Sequence, residues 1–114
     1  MIKAAFFDVD GTVYSHESKS VPASTLKALN ELREKGIKTF LATGRHFSEI
    51  DKFPVGEIPF DGYVMLTGQL CTDGERNVIF GNAIEEKDAQ YLLNEFQKKE
   101  MPVMLVEKDR LYIN

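Results

Sequence analysis

Apolar positions along this chain alternate between short continuous runs and stripes of helical spacing. Ala4 to Phe7 is an apolar run that ends in Asp8, and it predicts a first strand over Lys3 to Asp8. Gly11 to Ser20 is mixed and polar, a loop or small flap. Pro22-Ala23-Ser24-Thr25 opens a helix, since proline suits a first turn. Leu26, Leu29 and Leu32 recur at helical spacing while Lys27, Glu31, Arg33, Glu34 and Lys35 face water, and Gly36 predicts a left-handed cap. A second strand, Lys38 to Ala42, runs into Thr43-Gly44-Arg45. His46 to Phe53 then reads as a helix with Phe47, Ile50 and Phe53 inward, stopped by Pro54. Pro54 to Asp61 is a connector, and a third strand, Gly62 to Leu66, leads into Thr67-Gly68-Gln69.

Beyond that turn the period changes. Leu70-Cys71-Thr72 and Asn77-Val78-Ile79-Phe80 flank Asp73-Gly74-Glu75-Arg76 and predict a hairpin, because Asp-Gly is a strong turn signal. Glu85 to Lys99 has helical spacing, with Ala89, Leu92, Leu93 and Phe96 as its core face. Pro102 to Val106 and Leu111 to Ile113 read as two further strands. The first two-thirds therefore predicts β-α-β-α-β, a right-handed parallel α/β layout. The last third predicts a hairpin followed by α-β-β, with a boundary near Gly81 to Glu85 that separates residues 1–82 from 83–114.

Composition narrows the function classes. At 114 residues the chain is one domain's worth, and its 43% apolar content allows one real core with little room for a second. The net charge of −4 comes without any Lys/Arg cluster, which argues against a nucleic-acid surface. Cys71 stands alone, so no internal disulfide forms and a reducing, cytoplasmic setting is expected. The N-terminal apolar run is too short for a signal peptide. No stretch approaches the roughly 20 apolar residues of a membrane span, so no membrane partner is expected.

The candidate chemistry sits in the turns after the three strands: Asp8-Val9-Asp10-Gly11-Thr12, Thr43-Gly44-Arg45 and Thr67-Gly68-Gln69. Ligands of open α/β sheets bind at the carboxyl edge of the strands. Two carboxylates one residue apart repel unless a cation lies between them, and a divalent metal is the usual solution. Glycine lets backbone N–H groups approach an anion, and a helix after Arg45 directs its N-terminus there. Together the turns suit a phosphate and a Mg²⁺. An EF-hand reading fails, because its sixth and twelfth positions, counted from Asp8, are Val13 and Lys19 rather than Gly and Glu. His16 and His46 lack a partner at metal spacing and read as surface residues. A response-regulator reading needs an acceptor Asp after the third strand, where the sequence has Leu66-Thr67.

An apolar strand into Asp8-Val9-Asp10-Gly11-Thr12, a helix, and an apolar strand into Thr43-Gly44-Arg45 closely resemble the haloacid dehalogenase (HAD) superfamily. More narrowly they resemble its Cof-type (type IIB) phosphatases. The resemblance implies a Rossmann-like parallel core, here incomplete and spanning residues 1–82, followed over 83–114 by the beginning of an α/β cap domain. It implies Asp8 as nucleophile, forming an aspartyl-phosphate, and Asp10 as general acid/base. Mg²⁺ would be held by the Asp8 carboxylate and the Asp10 main-chain carbonyl. Thr43 and the N–H groups of Gly11 and Gly44 would hold the phosphate, with Thr12 bracing the loop. For Arg45 two readings stand side by side, added charge at the phosphate or a solvent-facing helix residue.

The implied substrate is a small phosphorylated metabolite such as a sugar phosphate. The family's downstream lysine and acidic Gly-Asp loop have no match within 114 residues. The expectation is therefore a portion of a longer phosphatase with little or no turnover alone, its open sheet edge available for self-association. A non-catalytic phospho-ligand or Mg²⁺-binding module is the rival expectation.

Overall fold

Strand β1 (Ala4–Phe7) pairs in parallel with β2 (Lys38–Ala42), which pairs in parallel with β3 (Gly62–Met65). Two antiparallel strands extend the same sheet, β4 (Leu70–Asp73) beside β3 and β5 (Val78–Gly81) beside β4, so the order is β1-β2-β3-β4-β5. The expected parallel core is thus a mixed sheet, because the Asp-Gly hairpin folds back onto β3. The computed structural model describes residues 1–114, which form two units, Met1–Gly81 and Asn82–Asn114.

The register aligns Phe6 with Phe40 and Phe7 with Leu41, so alternate residues divide between two faces. Thr39 and Leu41 are fully buried, whereas Phe6 is 59% exposed and stacks on Phe40 at a ring separation of 4.7 Å. Helix α1 (Ala23–Glu34) brings Leu29 into the core with Leu41 and Met65. It ends as its sequence predicts: Gly36 is left-handed (φ +74°), and the Ile37 N–H reaches back to the Leu32 carbonyl at 3.0 Å.

The second helix is a correction. It spans only Phe47–Ile50 (α2), and a separate 3-10 turn, Pro54–Glu57, follows it, so Pro54 opens a turn instead of stopping a long helix. His46 is a second correction, since it is buried at 1% exposure. Its ring Nδ1 accepts the Ser48 N–H at 3.1 Å, while Glu49 Oε2 accepts the His46 N–H at 2.9 Å. This is a capping box in which histidine takes the usual Ser/Thr place.

In the second unit, α3 (Glu86–Lys98) precedes the antiparallel pair β6 (Met104–Val106) and β7 (Leu111–Ile113). The Asn114 amide donates to the carbonyls of Phe96 and Met101, and its Oδ1 accepts the Val103 N–H. The predicted apolar face of α3 is only partly covered: Leu92 and Phe96 are half-buried, whereas Ala89 and Leu93 are exposed. No helix in either unit is long and apolar enough to cross a membrane.

Candidate active site

The β1 turn is organised by Val9. Its side chain is fully buried, and its carbonyl accepts the N–H groups of Thr12, Val13 and Tyr14 at 3.2, 3.1 and 2.9 Å. Gathering three donors on one carbonyl reverses the chain sharply, which requires the left-handed Gly11 (φ +76°). With Val9 inward, its neighbours Asp8 and Asp10 stay outside the core, Asp8 exposed and Asp10 half-buried. Asp8 is exposed, and its Oδ1 accepts the Val9 N–H at 2.7 Å. The Gly11 N–H, assigned by resemblance to a phosphate, is donated to the Tyr14 carbonyl at 2.9 Å. Gly11 therefore serves this turn through its conformation.

The second and third turns interlock. Thr43 is buried, donates its N–H to Val64 and accepts the Arg45 N–H on Oγ1 at 3.1 Å. The Thr67 N–H donates to the Thr43 carbonyl at 3.1 Å, and a Cβ on Gly44 would lie 3.2 Å from Thr67 Oγ1. Gly44 is small because Thr67 comes so close. Leu66 and Thr67 both have positive φ, +53° and +56°. That backbone is strained for the β-branched Thr67, as is common near functional sites.

Arg45 joins the second turn to the first. Its Nε donates to Asp10 Oδ2 and its Nη2 to Asp10 Oδ1, both at 2.8 Å, a bidentate fork spanning 35 residues of sequence. Nη1 lies 3.6 Å from Glu49 Oε1, and the guanidinium sits 4.7 Å over the Phe53 ring. Neither sequence reading of Arg45 describes this: it faces the Asp10 carboxylate. The guanidinium hydrogen bonds, aided by His16, outweigh partial burial and hold the Asp10 carboxyl at about 2, below its ordinary 3.8.

His16 is the residue that spacing misses. It comes from the flap, is 58% exposed, and yet its Nε2 lies 2.7 Å from Asp10 Oδ1. The flap closes through paired Ser15–Ser20 backbone hydrogen bonds at 2.8 and 3.2 Å, which carry His16 back toward the turn. The only sequence signal is the polar Ser-rich reversal itself, six residues past Asp10.

The fit of a Mg²⁺ can be tested on the donors present. Asp8 Oδ2 and the Asp10 main-chain carbonyl receive no protein hydrogen bond and are hard oxygens on one turn, the donor type Mg²⁺ takes. They supply two of about six ligands, and no group of three His, Cys, Asp or Glu gathers anywhere in the chain. The site fits the ion as a partial cradle, with remaining positions for water and phosphate oxygens.

Residues 5–114 match the family of haloacid dehalogenase-like hydrolases. The YkrA protein of Bacillus subtilis is 32% identical over 109 residues, covering 96% of this chain and 41% of YkrA. An HMP-PP phosphatase of Yersinia pestis is 30% identical over 94 residues, covering 82% of this chain and 34% of that enzyme. Among solved structures, BT1666 from Bacteroides thetaiotaomicron, a phosphatase of the haloalkanoate (HAD) superfamily, superposes with a TM-score of 0.82 at 32% identity. It is covered over 42% of its length by all of this chain. The HAD subclass IIB sugar phosphatase BT4131 gives 0.72 at 35% identity, covering 97% of this chain and 43% of BT4131. The chain thus spans less than half the length of each of these relatives.

Proposed function

Because the chain belongs to the haloacid dehalogenase-like hydrolase family, we propose that it carries the nucleophile-bearing part of a Mg²⁺-dependent phosphatase for small phosphorylated metabolites such as sugar phosphates. The observation that carries this reading is the linking of three strand-end turns, Arg45 to Asp10 and Thr67 to Thr43, with Asp8 exposed on the first and Asp10 gripped beside it. BT4131 is a sugar phosphatase and the Yersinia relative an HMP-PP phosphatase, which favours small phosphorylated substrates over macromolecules.

The Asp8 carboxylate attacks phosphorus, the bond to the ester oxygen breaks, and the leaving alkoxide takes a proton from Asp10, leaving an aspartyl-phosphate. Water then attacks phosphorus while the Asp10 carboxylate accepts its proton, regenerating Asp8 and releasing phosphate. The Arg45 fork stabilises Asp10 in its ionised form, the form the second half needs. Proton delivery in the first half requires the guanidinium to exchange Asp10 for another anion, and the incoming phosphoryl dianion is one. Thr43 Oγ1, which already accepts the Arg45 N–H, has its own proton to donate to that anion. The Asp8 carboxylate and the Asp10 main-chain carbonyl would hold Mg²⁺, which when bound would supply charge neutralisation for the approach of a phosphoryl dianion.

The test is phosphoryl transfer from acetyl phosphate in the presence of Mg²⁺, read by intact mass. Slow, stoichiometric labelling that Asp8→Asn abolishes is expected, without rapid multiple turnover. Labelling that survives Asp8→Asn would sink this reading. Phosphate binding without any labelling would select the non-catalytic phospho-ligand-binding module instead.

Self-association belongs to the same proposal. Strand β1 is paired on one side only, and Phe6 on it is largely exposed, so its outer backbone edge is open to a second copy. Sedimentation velocity is expected to show concentration-dependent dimerisation. A monomer at the highest soluble concentration overturns it.

A further inference from the structure

Four side chains form a circuit that closes on the Asp10 carboxylate. Arg45 holds both Asp10 oxygens and lies over Phe53; Phe53 meets Tyr14 at a ring separation of 4.9 Å; Tyr14 meets His16 edge-on at 5.0 Å; and His16 Nε2 returns to Asp10 Oδ1 at 2.7 Å. The circuit draws on three separate segments: the β1 turn with its flap, the turn after β2, and the residue before the 3-10 turn. Tyr14 is 7% exposed and fixed by the Val9 carbonyl, so the flap is anchored where it leaves the turn. Its far end is closed by the Ser15–Ser20 backbone pair and the Ser18–Ser20 hydroxyl contact at 2.8 Å. Between these anchors His16 has one polar partner, Asp10.

The two holders of Asp10 differ in what else they do. Arg45 carries a fork suited to phosphate as well as carboxylate, and it stands at the glycine-rich turn where a phosphate would enter. When it turns to that anion, both Asp10 oxygens lose their guanidinium donor at once, and only Oδ1 keeps a side-chain partner, His16. His16 is placed differently: its ring meets Tyr14 edge-on and its Nε2 meets Oδ1.

We propose that His16 is a positioning residue that keeps the Asp10 carboxylate in place when Arg45 transfers its hydrogen bonds to a phosphate. The proposal rests on the phosphatase reading for its purpose, but not for its geometry. It assigns the exposed flap a role in the site: the flap delivers the second restraint on Asp10. Nε2–H donates to Oδ1 in the Nε2-protonated neutral tautomer and in the imidazolium alike, so the restraint does not depend on the ring's charge.

The experiment uses the full 114-residue chain labelled with ¹³C at the aspartate carboxyl carbons, at one fixed pH, with and without inorganic phosphate as the probe. His16→Phe keeps a ring for Tyr14 but removes the donor, and His16→Gln keeps a donor. Without phosphate, Asp10→Asn is expected to move the His16 imidazole resonance, and His16→Phe to displace the Asp10 Cγ resonance modestly. With saturating phosphate, the Asp10 Cγ line is expected to stay single in the native chain and in His16→Gln, and to broaden or split in His16→Phe. An Asp10 line in His16→Phe indistinguishable from native under both conditions overturns the proposal, as does an unmoved His16 resonance in Asp10→Asn. Thermal melting of each variant identifies any that fails to fold, and Arg45→Gln then supplies the second measurement, since there His16 is left as the sole side-chain holder. The acetyl phosphate labelling judges the phosphatase reading separately. In chain that labels, the aspartyl-phosphate lifetime is expected to lengthen about tenfold in His16→Phe and to recover in His16→Gln.

Discussion

Arg45 and Arg76 make nearly the same contacts with different consequences. Each forks onto an aspartate, Arg45 onto Asp10 at 2.8 and 2.8 Å and Arg76 onto Asp51 at 2.9 and 2.6 Å. Each also lies over an aromatic ring, Phe53 at 4.7 Å and Phe47 at 4.3 Å. Arg76, on the β4–β5 turn, covers Phe47 and Tyr63, both core residues only 6% exposed, and ties that turn to the end of α2. Arg45 covers the half-buried Phe53 and shares its aspartate with His16, at an edge where glycines leave backbone open. A forked Arg–Asp pair is therefore not by itself a mark of a functional site. What separates the two, under the proposed function, is whether a ligand can compete for the fork.

The largest expected difference is in stability. Arg76→Ala bares the outer sides of Phe47 and Tyr63 as well as breaking the pair, and is expected to lose about 1–2 kcal/mol in urea unfolding. Arg45→Ala is expected to lose less than about 1 kcal/mol, since the pair is partly solvated and Phe53 is peripheral. Equal losses would break the comparison. A smaller effect comes from acid. Asp10 and Asp51 both have folded-state carboxyls held below the ordinary value, mainly by the arginine hydrogen bonds. Groups depressed in this way stabilise the fold above the unfolded value of about 3.9 and lose that contribution as pH falls toward the folded value. Stability should thus be level from neutral pH to about 4 and fall toward about 2. The fall should be shallower in either arginine variant, and an unchanged slope in both would assign acid loss to other carboxylates such as Asp61.

The strands, α1 with its Gly36 cap, and the Asp-Gly hairpin were legible because each is set by local pattern. The three turns could be placed on one edge because parallel strands carry their ends to the same side. Tertiary context decided the rest. Periodicity extends α2 through Phe53, but the capping box fixes only its start, and the chain leaves helical geometry after Ile50 to seat Val55 and Ile58 in the core. Distance to other metal-ligating residues says nothing about His46, whose role follows from Glu49 three residues on. Arg45 and His16 meet Asp10 only through a strand pairing and a flap reversal, and neither leaves a trace in spacing.

The Arg45–Asp10 fork also makes the site a proofreader of folding. Asp10 follows β1 and Arg45 follows β2, so their meeting depends on the alignment of Phe7 with Leu41. A slip of one residue displaces Arg45 by about 3.3 Å and turns the β2 side chains to the opposite face. The fork cannot then close, and Thr43 no longer lies beside the Asp10 turn. A partly folded molecule with β1 and β2 out of register therefore cannot assemble the proposed site, and would be silent in the phosphoryl-transfer reaction proposed for it.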